Sequence, residues 1–184
     1  MGYLNNVTGY RDDLLANRAI VKHGNFALLT PDGLVKNIIP GFENCDATIL
    51  STPKLGASFV DYLVTLHQNG GNQQGFGGEG IETFLYVISG NITAKAEGKT
   101  FALSEGGYLY CPPGSLMTFV NAHAEDSQIF LYKRRYVPVE GHAPWLVSGN
   151  ACELERIHYE GMDDVILLDF LPKELGFDMN MHIL

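Results

Sequence analysis

Long apolar runs are missing from this chain. No stretch of about 20 consecutive apolar residues occurs, so no membrane-crossing helix is expected. The opening residues, MGYLNNVTGYRDD, lack the apolar centre of a secretory signal, and a cytoplasmic protein is expected. Cysteine is scarce: Cys45, Cys111 and Cys152 are an odd number without Cys-x-x-Cys spacing. That excludes a disulfide framework and a zinc knuckle. Positive charge is scarce as well. With 12 Lys and Arg against 21 Asp and Glu the net charge is −9, the wrong sign for nucleic acid or an anionic membrane. The one basic cluster, Lys133-Arg134-Arg135, lies in IFLYKRRYVPV and is read as a solvated strand face. Helical periodicity is nearly absent, apart from a short turn expected at Asp12–Ala16. There is no G-x-S-x-G, no phosphate loop and no dinucleotide fingerprint, so nucleophilic and nucleotide chemistry find no support.

What is present is β-forming sequence with frequent punctuation. Nearly half the residues are apolar, and 21 glycines with 8 prolines separate short runs of branched and aromatic residues. Strands are predicted at Phe26–Leu29, Ala47–Ser51, Phe59–Leu66, Thr83–Ile88, Ile92–Glu97, Thr100–Leu103, Tyr108–Tyr110, Leu116–Asn121, Ile129–Tyr136, Val165–Phe170 and Phe177–Leu184. ISGNIT reads as a tight hairpin at Gly90-Asn91, and AEGKTF as a second at Gly98. Many short antiparallel strands at this spacing predict a sandwich or barrel. After Val137 the sequence becomes turn-rich and reads as a linker packed against the barrel. A short echo links PKLGASFVDYLVTL at Pro53 with PKELGFDMNMHIL at Pro172, about one barrel apart.

Two segments carry motif spacing. Gly106, Pro112, Gly114, Met117 and Asn121 resemble the second cupin motif, with methionine where that motif has histidine. Gly71 to Gly90 fits the frame of the first motif, and its ligand positions fall on Gly77, Glu79 and Thr83, or on Phe76, Gly78 and Thr83 with a longer gap. Glycine and proline keep the backbone geometry of turns and strand starts. The ligands are not there. A thioether is a poor donor for manganese or iron, and one carboxylate does not make a site. Glu82 and Thr83 should face opposite sides of their strand. Met117 is therefore expected to fill space. Phe84, Tyr86, Ile88, Leu109 and Phe119 are expected as barrel packing, and Cys111 as a small buried hydrophobe. His23, His67, His123, His142, His158 and His182 are scattered and form no ligand pair.

From about Tyr3 to Leu184 the chain resembles the bacterial (S)-ureidoglycine aminohydrolases. The stretches that carry the likeness are GFENCDATILSTPKLGASFVDYLVTL, CPPGSLMTFVN, FLYKRRYVPVEGHAPWLVSGN and FDMNMHIL. The resemblance implies an all-β fold, the N-terminal barrel of a bicupin plus the first part of a second barrel. The divisions it suggests are strands and loops at 1–52, a metal-free barrel at 53–136, a linker and first strand at 137–171, and the start of the second cupin at 172–184. It implies hydrolysis of (S)-ureidoglycine to (S)-ureidoglycolate and ammonia, with manganese in the C-terminal cupin and none in this chain. That cupin's ligands, a Glu-x-His-x-x-x-His stretch and a later Gln, follow the strand resembling FDMNMHIL. No catalytic or metal residue therefore falls on a position of this chain, which is expected to be inactive alone. Asn180 and His182 are the candidate substrate-binding positions, on the strand that borders the pocket. A small ureide partner and a homo-oligomer are expected. The other class of function left open is a non-catalytic cupin scaffold that binds a small molecule.

Overall fold

The structure, a computed structural model, describes residues 20–184. The turn expected at Asp12–Ala16 lies outside the described residues. The strands are β1 (Ile20–Lys22), β2 (Phe26–Leu28), β3 (Lys36–Asn37), β4 (Phe42–Ser51), β5 (Phe59–Gly77), β6 (Ile81–Ser89), β7 (Asn91–Ala96), β8 (Lys99–Ser104), β9 (Gly107–Cys111), β10 (Leu116–Val120), β11 (Ser127–Arg135), β12 (Val147–Asn150), β13 (Ile157–His158), β14 (Ile166–Asp169) and β15 (His182–Ile183). Ten of them, β3 to β12, form one antiparallel sheet that curls into a nearly closed barrel. The path runs β12-β9-β6-β11-β5-β10-β7-β8, with β4 on β5 and β3 on β4.

β5 makes the curl possible. Its first half pairs with β11 and its second half with β10, while β4 runs beside both. Between the halves the chain turns at Asn69, whose φ is +62°, and at Gly70-Gly71. A Cβ at Gly71 would lie 2.0 Å from the Phe119 carbonyl oxygen, and one at Gly70 would lie 2.2 Å from that of Asn44. Only glycine permits strands to approach so closely there.

Alternation along each strand then builds two cores. Val64, Leu66, Leu85, Val87, Leu109, Cys111, Met117, Phe119, Ile129 and Leu131 point inward and are fully or almost fully buried. Their outward-facing neighbours on the same strands, Phe84, Tyr108, Tyr110 and Tyr132, are buried as well. What covers them is the later chain: Phe170, Leu171 and Met179, with Phe177 and Met181 packed alongside. β9 reads YLYC because both of its faces are interior.

Several expectations change. Leu109 and Phe119 lie in the barrel interior, but Phe84 and Tyr86 pack on its outer face and Ile88 is exposed. The turn at Glu97-Gly98 is a two-residue hairpin between β7 and β8, with φ of +51° and +72°. Gly90 is not a hairpin turn. Its φ of +83° turns the chain sharply, but β6 pairs with β9 and β11 while β7 pairs with β8 and β10. Residues 147–150, read as linker, form β12 and extend the sheet beside β9. Phe177–Leu184 is strand only at His182–Ile183, because Phe177 and Met179 are committed to packing on the barrel and no ladder partner lies beside them. β13, β14 and β15 make a separate three-stranded sheet. Both ends of the Pro-Lys echo turn through a left-handed glycine, Gly56 at φ +93° and Gly176 at φ +122°.

Candidate functional site

The motif positions do converge. Met117 on β10 is opposite Phe76, and Leu116 is opposite Gly77. A Cβ on Gly77 would meet Thr83 Cγ2 at 3.1 Å, and Thr83 on β6 is opposite Cys111 on β9. Thr83, Cys111 and Met117 are fully buried. The frame of a metal site is thus intact in backbone terms. Its contents do not fit a divalent cation: glycine supplies no donor, Glu79 is exposed, and Met117 supplies a thioether. Burial pushes the Cys111 thiol up to about 12, so it stays protonated rather than becoming a thiolate ligand. Among the described residues no group of three His, Cys, Asp or Glu side chains is placed to hold a metal ion. Phe76, Phe119 and Phe42 meet edge to face around this region, with centroids 5.8 to 6.5 Å apart.

Asn121, the last residue of the motif, has a structural role. Its Nδ2 donates to the carbonyls of Leu66 at 3.0 Å and Glu125 at 2.8 Å, and its Oδ1 accepts from the His123 amide at 2.9 Å. Its own amide donates to the Gly70 carbonyl at 2.8 Å. A buried amide with all these bonds clasps the β5 bend to the β10–β11 loop.

Polar chemistry is concentrated on the outer face instead. Glu82 is fully buried there, its side chain pointing away from Thr83 as strand alternation requires. Tyr110 donates its hydroxyl to Glu82 Oε2 at 2.8 Å, and Arg134 Nε lies 3.6 Å from Oε1. Burial raises the Glu82 carboxyl above its ordinary range; the Tyr110 hydrogen bond opposes this, and so does the Arg134 charge. Arg134 also holds Asp178 at 3.1 Å. The Tyr136 hydroxyl donates to the Gly176 carbonyl at 2.9 Å, and the Val137 amide to Asp178 Oδ2 at 2.8 Å. These contacts fasten residues 176–178 to the barrel. The basic run read as a solvated face is therefore split. Arg134 is mostly buried on the outer side, and only Arg135 is exposed.

Comparison with known proteins assigns this architecture. Residues 55–136 match the EutQ-like cupin domain. Over all 184 residues the chain is 98% identical to the (S)-ureidoglycine aminohydrolase of Escherichia coli K12, of which it covers 70%. The chain belongs to the (S)-ureidoglycine aminohydrolase family. It is 29% identical over 168 residues to a probable (S)-ureidoglycine aminohydrolase of Oryza sativa subsp. japonica, of which it spans 52%. The fold superposes on the crystal structure of the E. coli protein Ylba with a TM-score of 0.86 and 94% identity, over 94% of this chain and 69% of that one.

Within this family frame, Asn180 and His182 are both exposed. His182 borders an apolar groove of about 470 Å³ between the barrel's outer face and the last strand, lined by Phe84, Tyr86, Phe130, Phe170 and Met181 among others. Asn180 does not line it. Sequence reasoning missed the Glu82–Tyr110–Arg134–Asp178 cluster, whose members lie on three strands and a loop. The one available signal was a glutamate at an apolar-facing strand position.

Proposed function

We propose that the chain forms the first barrel and the start of the second barrel of an (S)-ureidoglycine aminohydrolase. In that reaction the C–N bond to the free amine breaks, water supplies the replacing hydroxyl, and (S)-ureidoglycolate and ammonia leave. The observation that carries this reading is the 98% identity along the whole chain to the E. coli enzyme of that name. The divisions proposed are the barrel at 53–136, the connecting segment at 137–171 and the start of the second cupin at 172–184. Asn180 and His182 are proposed to border the ureide pocket once the second barrel is complete. Manganese belongs, in this reading, to the part of the enzyme outside these residues, where it supplies Lewis-acid chemistry. The first barrel's contribution is positional: its outer face and the Arg134–Asp178 contact hold residues 170–183 in a set place. A homo-oligomer is part of the proposal.

The test is ammonia release from freshly generated (S)-ureidoglycine with added Mn²⁺. It compares this chain alone with this chain joined to the remainder of the E. coli relative. The joined form is expected to turn over and the 184-residue chain to be silent. Inactivity of the joined form would overturn the assignment, and activity of the chain alone would overturn the placing of the metal.

A further inference from the structure

A charged side chain, half-buried, stands against the core rings of the barrel. Along β11 the inward positions are Ile129, Leu131 and then Lys133, whose partners across the sheet are Val60 and Thr83. The Lys133 ammonium lies 5.6 Å from the Tyr62 ring centroid and 5.3 Å from that of Phe76, two rings that are almost wholly buried. Cation–π attraction offsets part of its lost hydration. It does not satisfy the three N–H donors of an ammonium. Among the described residues Lys133 makes no hydrogen bond or ion pair, and Arg135, on the same face one step further along, has no carboxylate partner. The cross-strand neighbour Thr83 is buried, and its hydroxyl has no partner either.

Lys133 and Arg135 border a cavity. At the rim, where β5 begins and β11 ends, a space of about 270 Å³ is lined by Val60, Gly77, Ile81, Lys133 and Arg135 among others, with no acidic side chain. Positive charge gathered around a cavity in a chain of net charge −9 is a local arrangement, not a consequence of composition. The volume falls just under the ~300–1,000 Å³ of drug-sized sites, which limits an occupant to a small molecule.

We propose that the rim of the first barrel binds a small carboxylate anion, with the Lys133 ammonium as the principal donor and the Arg135 guanidinium beside it. Where the cupin frame would hold a metal cation, a side-chain cation stands next to it, opposite Thr83. A carboxylate supplies the acceptors that Lys133 lacks, and it does so in a partly dehydrated place where a charge-assisted hydrogen bond is strong. Gly77, also on the cavity wall, is packed so closely against the Ser115 carbonyl and Thr83 that a Cβ there would lie 3.0 and 3.1 Å from them. This inference concerns a second site and stands apart from aminohydrolase activity.

The experiment titrates acetate and oxalate into the 184-residue chain at constant ionic strength, followed by calorimetry and by the ¹³Cε resonance of Lys133. Saturable binding is expected, with the Lys133 resonance shifting along the same curve. Lys133→Met keeps the stem over the two rings and should weaken binding about tenfold or more, the effect of one charge-assisted hydrogen bond. Lys133→Arg should stay within a few-fold of the unaltered chain, and Arg135→Met should show a smaller loss. If Lys133→Met does not fold, the Lys133 resonance and Lys133→Arg decide the matter. Absence of saturable binding, a stationary Lys133 resonance, equal affinity for chloride, or unchanged affinity in Lys133→Met would each overturn the proposal.

Discussion

Replacing Arg134 with methionine should release the C-terminal segment from the barrel. Methionine keeps most of the aliphatic stem and removes the guanidinium. One hydrogen bond and one ion pair to Asp178 disappear: Nη1 donates to the backbone oxygen at 3.2 Å, and Nη2 lies 3.1 Å from Oδ2. A hydrogen bond to a charged group contributes about 1.5–3 kcal/mol. The lower end applies here, since the Arg134 and Asp178 side chains are 20% and 19% exposed. The second loss is the counter-charge of Glu82. At 3.6 Å and an effective dielectric constant of ~20, Coulomb attraction is about 4–5 kcal/mol. That is an upper limit, because the carboxyl escapes by taking up a proton. Arg134→Met should therefore cost about 3–5 kcal/mol, the range for breaking a buried pair from one side. In a Glu82→Gln background it should cost only the Asp178 share, leaving a coupling of about 1–3 kcal/mol between the two positions.

Denaturant unfolding measures all four corners of that cycle. Trp145 packs edge-on against Phe177 with centroids 4.6 Å apart, so its emission also reports whether the segment detaches before the barrel unfolds. The pH dependence adds an independent check. Burial lifts the folded-state Glu82 carboxyl above its ordinary 4.5, against the pull of Tyr110 and Arg134. Its contribution to stability is then full below 4.5 and lost as the pH rises through the raised value. Glu82→Gln should flatten that slope. A coupling below about 0.5 kcal/mol, the level of independent sites, would refute the idea that Arg134 neutralises Glu82.

Restoring the motif histidine by Met117→His should not produce manganese binding detectable by metal analysis, because Gly77 and Thr83 offer no companion ligands. It should destabilise the barrel by about 1–3 kcal/mol, the cost of an unpaired polar group in a fully buried place. Thiol titration in native buffer should find Cys152, which is exposed, reacting quickly. Cys111, held near 12 by burial, should react only on unfolding; fast labelling of Cys111 would show that the interior opens. His67 is held above its ordinary 6.5 mainly by its hydrogen bond to Asp126. Its contribution should be present below 6.5 and fade as the pH rises through the raised value, a slope that His67→Gln should abolish in thermal melts.

Much of the barrel was legible in the residues because its signals are local. The Glu97-Gly98 hairpin follows from backbone conformations that few residues adopt, and most barrel strands follow from branched and aromatic runs between turns. That Gly77 and Met117 stand where the motifs have histidine was equally plain, since neither carries an imidazole in any fold. Which partner a strand takes is a different matter. Gly90 reads as a hairpin turn, yet the strands on either side of it find other neighbours, because pairing is decided by the whole curled sheet. Phe84 and Tyr86 look like barrel filling. They pack outside because residues 170–181 return to cover that face, and no pattern within β6 announces the return.

The basic run Lys133-Arg134-Arg135 shows the division most sharply. Its sequence determines three positive charges on one strand, alternating between its faces. Only the tertiary structure decides what each charge meets: two buried aromatic rings and a small cavity for Lys133, Glu82 and Asp178 for Arg134, and solvent at the rim of that cavity for Arg135. A strand dictates the side on which each residue falls. The surroundings of that side come from chain far away in sequence, so they are settled only when the fold closes.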